Sequence, residues 1–152
     1  MKMIAPYTRL CGRFNYLPPY FSIVQIHTEF SSSLRTAQSK QVLYPSQNGP
    51  IQKNTVVMNQ LESKADAEWL GLQLGLEYAI EQGEHCVALE SSSIHVMQGL
   101  LIPGTTFYRA SIGYRKQKIL SFTDRLDWLG ARLISSRENR ATSRDVGGTC
   151  GV

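Results

Sequence analysis

Three features of the sequence predict an α/β fold built on one mixed sheet, with an antiparallel meander first and alternating helices and strands after it. Three stretches between residues 21 and 59 are dense in β-branched and aromatic side chains, and a run over 63–82 switches to helical spacing. Short strand-like and helix-like segments then alternate as far as residue 146. A chain of 152 residues with 42% hydrophobic content can bury one substantial core and is short for two. One domain is therefore expected over 21–146, with 1–20 as an irregular lead-in or an extra edge strand and 147–152 as a flexible tail.

The elements follow in order. Pro6, Pro18, Pro19 and Gly12 break up the lead-in. From Phe21 the segment FSIVQIHTEF reads as a strand, and its period of two puts Ile23, Gln25, His27 and Glu29 on one face. Ser39 to Tyr44 and Asn54 to Asn59 supply two more strands around the turn signal SQNGP, which completes a meander. Ala65, Trp69, Leu72, Leu76 and Ala79 then recur at helical spacing. Ser63 with Asp66 resembles a capping box at the start of this helix, and Gly83 suits a left-handed stop at its end. EHCVALE is expected as a buried strand, SSIHVMQGL as a short helix, and Pro103 and Gly104 as a loop. Ile119, Phe122, Leu126 and Leu129 form a further helical stripe ending near Gly130. ARLISS follows as the last strand and RENRATSRDV as a terminal helix.

Composition narrows the function classes. Cys11, Cys86 and Cys150 are odd in number and lack metal-ligand spacing, so they read as free thiols of a cytoplasmic protein, and neither a disulfide framework nor a zinc cage is expected. The apolar run near the amino terminus is shorter than a signal-peptide core, and no run approaches a membrane span, so no membrane partner is expected. Residues 1–104 carry seven Lys and Arg against eight Asp and Glu, whereas 105–152 carry nine against four. Positive charge gathered in the last third suits a polyanion, by neutralising phosphates and releasing their counterions; an ordinary solvated helix face has the same composition.

Local words add a resemblance. DAEWLGLQLGLEYAIEQG followed by VALESSSIHVMQGL resembles the ribonuclease H family, in the subgroup common in plant and retroelement-derived proteins, where an AEY or AEL word opens the long helix and an ESDS or GDS word closes the next strand. SRENRATSRD is similar to that family's ending, REEN with an Asp beyond it, and IHTEFS resembles its opening YTDGS word; together the pieces span about residues 21 to 146. The resemblance implies a hydrolase that cuts the RNA strand of an RNA/DNA hybrid with two divalent ions, Mg or Mn, held by four carboxylates. Residue by residue it points to Glu29 where the family has Asp, to Glu68 in the AEW word, to Ser92 for the third carboxylate, and to Ser143 for the fourth. Two positions are thus degenerate. Glu90 shares the strand face of Ser92, ~6.6 Å along it, and is the candidate replacement, so that Glu29, Glu68 and Glu90 are the candidate catalytic and metal-binding set. Asp145 lies about 200° around a helix from Ser143 and is poorly placed to substitute. No histidine precedes the terminal helix. His27 shares the face of Glu29, and His85 and His95 read as surface or packing residues.

Three readings follow. In the first, the chain is a catalytically degenerate ribonuclease H-like scaffold that binds nucleic acid through Arg109, Arg115, Lys116, Lys118, Arg137, Arg140 and Arg144, with Tyr108 and Tyr114 available to stack on bases. In the second it is an active nuclease with the rebuilt carboxylate site. In the third it is an oligomeric interaction scaffold, its apolar lead-in of Tyr16, Leu17, Tyr20 and Phe21 pairing across a homodimer.

Overall fold

A computed structural model of the chain describes residues 7–102 and 110–142. Six strands, β1 (Thr8–Cys11), β2 (Ser22–Ser31), β3 (Thr36–Tyr44), β4 (Gln52–Met58), β5 (Cys86–Ser91) and β6 (Trp128–Leu133), form one mixed sheet in the order β1-β6-β5-β2-β3-β4. The helices are α1 (Lys64–Glu81), α2 (Ile94–Leu101) and α3 (Ala110–Leu120). The meander expected from the sequence is β2-β3-β4, antiparallel throughout. β2 also pairs in parallel with β5, and β5 with β6, so the three central strands run the same way and finish at the same end of the sheet.

α1 forms where the apolar period predicted it. The Ser63 hydroxyl accepts from the Asp66 amide, as an N-cap does, but the Asp66 carboxylate accepts from Glu62 N rather than returning to Ser63. Gly83, just past the end, sits at φ +87°. The stripe of Trp69, Leu72, Leu76 and Ala79 is fully buried against Val24, Ile26, Leu43, Val87 and Leu89. Two glycines bring the helix close to the sheet: a methyl added to Gly75 would stand 2.7 Å from Ile26 Cγ1, and one on Gly71 would stand 2.2 Å from Thr28 Oγ1. The even-numbered residues of β2 therefore face α1, and the odd-numbered ones face the second side of the sheet.

The stripe ending near Gly130 is not one helix. α3 stops at Leu120, a 3-10 turn covers Ser121–Arg125, Leu126 is extended, and β6 begins at Trp128, three residues ahead of the expected ARLISS strand. Phe122, Leu126 and Leu129 are buried as a helical stripe would bury them. Trp128 to Ala131, however, are buried without interruption, as suits a strand covered on both faces. Gly130 is not a helix stop; an added Cβ there would lie 2.3 Å from Trp128 Cη2, so the glycine makes room for that ring. Of the expected terminal helix, the described residues hold a 3-10 turn at Arg140–Thr142, preceded by a reciprocal box in which Ser135 N donates to Glu138 Oε1 and Glu138 N to Ser135 Oγ. The Pro103 and Gly104 loop, Cys150 and the tail lie outside the described residues.

Candidate functional site

The parallel strands β2 and β5 end at a cleft of about 370 Å³. Ile26, His27 and Thr28 of β2 form one wall, Lys64, Glu68 and Leu72 of α1 another, and Ser91 to Val96 close it from the turn into α2, with Ser136 at the rim. A crevice outside the carboxyl ends of parallel strands is where open α/β sheets place ligands. Ser92 and Glu68, two of the positions singled out in the sequence, meet here. Lys64, Thr28 and Ser136 complete the wall without having been picked out in the sequence, and His95, read there as a surface or packing residue, lines the cleft too. Only Lys64 carried a legible signal, since it stands four residues before Glu68 on the same helix face.

The candidate carboxylates are not brought together. Glu29 does not line the cleft: it follows Thr28 at the edge, its side chain largely exposed and its carboxylate 3.4 Å from Nε2 of His27, which does line it. The β2 side chain that turns toward α1 at this level is Thr28. Glu90 is 2% exposed and fully engaged: Oε1 accepts from Gln25 Nε2 at 2.9 Å, and Oε2 accepts from Arg132 Nε at 2.8 Å and from the Tyr7 hydroxyl. The guanidinium of Arg132 also stacks 4.7 Å over the Tyr7 ring. Burial first, and then the bond to Glu90, push the Tyr7 hydroxyl well above the ordinary tyrosine range. Gln25 extends this network, accepting from Arg140 N and Tyr44 and donating to Glu138 O. Glu68 is therefore alone among the three in the cleft. Among the described residues no group of three or more His, Cys, Asp or Glu side chains is arranged to hold a metal ion. Hard divalent ions need several oxygen ligands. Among the described residues the cleft holds one carboxylate with a lysine in the same wall, which does not fit a pair of them, and both Glu90 oxygens are already bonded to side chains of the fold.

Asn139, from the REN word, is 1% exposed and fastens the last described segment to the cleft floor. Its Nδ2 donates to Ile26 O at 3.0 Å and to Ser92 Oγ at 3.3 Å, and its Oδ1 accepts from Ala141 N. Ser143 and Asp145 lie outside the described residues.

The basic set divides. Arg115 forms a 2.6 Å ion pair with Asp66, itself 2% exposed, and so ties α3 to the start of α1. Lys116 donates to Gly99 O in the last turn of α2, and burial lowers its pKa. Both are committed to the fold rather than presented as a phosphate surface. Lys118 lies 5.6 Å over the Phe122 ring, and Arg137 and Arg140 are exposed near the cleft's Ser136. Tyr114 is exposed on α3, while Arg109, Arg144 and Tyr108 lie outside the described residues. In the lead-in, Tyr16 and Tyr20 are 63% and 70% exposed, but the strand formed there, β1, pairs antiparallel with β6 of the same chain.

No protein-family model matches the sequence, and no curated protein matches it. Solved structures do. Ribonuclease H1 from the halophilic archaeon Halobacterium salinarum NRC-1 is similar with a TM-score of 0.69 at 15% identity, over 79% of this chain and 89% of that one. The N-terminal RNase H domain of Rv2228c from Mycobacterium tuberculosis gives 0.67 at 11% identity, over 84% and 93%. LC11-RNase H1 in complex with an RNA/DNA hybrid gives 0.64 at 17% identity, over 79% and 90%. The chain has the ribonuclease H-like fold, as the sequence words had implied.

Proposed function

We propose that the chain is a ribonuclease H-like module that binds nucleic acid without cutting it. The fold supports a nuclease or nucleic-acid-binding role, and a structural neighbour is in complex with an RNA/DNA hybrid. The observation that favours binding over cleavage is the dispersal of the candidate carboxylates. Glu68 stands in the cleft, Glu29 is exposed beside it against His27, and Glu90 sits within a buried ion-pair network. Catalysis by a close metal pair needs several oxygen ligands converging on one point. A cleft to which the described residues bring one carboxylate supports phosphate binding best.

The test is cleavage of an end-labelled RNA/DNA hybrid in magnesium and in manganese, comparing the wild-type chain with Glu68→Ala at matched purity, alongside binding of the same hybrid at rising salt. Salt-sensitive binding with no Glu68-dependent cleavage is the expected result. Metal-dependent cleavage abolished by Glu68→Ala would establish an active site instead.

A further inference from the structure

Lys64 is oddly placed for a residue that serves only the helix. It occupies the first position of α1 after the Ser63 cap, where the helix dipole disfavours a cation. The order Lys then Glu at i and i+4 is the weaker arrangement for a helix ion pair. Among the described residues no ion pair or hydrogen bond holds its ammonium. Yet it lines the cleft, together with Ser92, Ser93 and Ser136. Ser93 stands at the N-cap of α2 but makes no capping bond with its side chain, unlike Ser63 on α1. Its hydroxyl therefore remains available to the cleft.

The electrostatics point the same way. A cleft holding several carboxylates repels a phosphate until divalent cations neutralise it. Here the Lys64 ammonium and the Glu68 carboxylate offset one another, so an anion meets donors rather than net negative charge. A lysine at the rim with neutral hydroxyls beside it is a recurrent way to hold a phosphate oxygen.

Resting on the nucleic-acid-binding reading above, we infer that this cleft seats one backbone phosphodiester directly, on Lys64 and the serine hydroxyls, with no divalent cation between protein and phosphate.

The experiment measures binding of a short fluorescein-labelled RNA/DNA hybrid to the full chain, in EDTA and in magnesium at constant ionic strength, across a salt series. Wild type is compared with Lys64→Gln and with Lys53→Gln, an exposed residue on β4 outside the cleft. Equal affinity in EDTA and magnesium is expected. Lys64→Gln should weaken binding about fivefold and flatten the salt dependence by about one released counterion, with Lys53→Gln close to wild type. Wild-type binding that needs magnesium would overturn the inference, as would binding in which the two lysine variants behave alike; both leave the nucleic-acid reading standing. Complete absence of salt-sensitive binding by the wild type would overturn that reading and this one with it. Displacement of the hybrid by a nucleoside monophosphate at comparable concentration would assign the seat to a free nucleotide and overturn the diester assignment.

Discussion

Glu90 shows how little a residue's chemistry can be judged from its neighbours in sequence. Its strand face was legible, two residues ahead of Ser92, and that face made it a candidate metal ligand. Its partners were not legible, because Gln25, Arg132 and Tyr7 stand 65, 42 and 83 residues away. A buried carboxylate whose oxygens are already bonded is a structural charge. Glu90→Ala should cost about 3 kcal/mol in urea unfolding, because it leaves the Arg132 guanidinium half-buried without its carboxylate. Glu29→Gln, at an exposed site, should stay within about 0.5 kcal/mol, and equal effects at the two positions would refute this contrast. Tyr7 adds a pH signature. Its hydroxyl titrates higher in the folded chain than in the unfolded one, so the unfolded state loses its proton first. The stability this contributes is complete below about pH 10 and declines as pH rises beyond it. Urea midpoints measured from neutral to alkaline pH should fall in that window, with a shallower fall in Tyr7→Phe.

At the scale of elements, α1 was the most legible part of the chain because its period, cap and stop agree with one another. Trp69→Ala should cost about 3 to 5 kcal/mol, since the ring is wholly buried in the main core; a near-neutral unfolding midpoint would mean that the helix is not seated as described. The passage from α3 into β6 was the least legible. Apolar spacing at 119, 122, 126 and 129 satisfies a helix, yet the same residues are buried equally well by a short helix, a 3-10 turn and a strand in succession. Tertiary pairing decided the matter: Leu129 aligns with Val87, and Asp127 N donates to His85 O. The cleft was legible in part for the same reason. Glu68 and Ser92 belong to recognisable words, whereas Thr28, His95 and Ser136 reach the cleft only because the strands end there.

For the whole molecule, the fold class could be read from the order of elements, but the strand order could not, since β1-β6 pairing joins the first strand to the last. Amide exchange should follow that architecture. β2 and β5, central and buried, should exchange slowest, and β1, four residues long with a register shift between Arg9 and Cys11, should open first among the strands. Protection of β1 equal to that of β5 would contradict this ranking. The same pairing has a consequence for a chain made from its amino terminus onward. β1, the Tyr7 ring, Gly12 and Arg13 all find partners in segments made more than a hundred residues later, among them Thr123, Asp127 and Arg132. The meander and α1 can assemble while synthesis continues, but β1 must wait, unpaired, until β6 has emerged. During that interval the apolar lead-in is the exposed part of a nascent protein, and its aromatic side chains are what a chaperone would meet first.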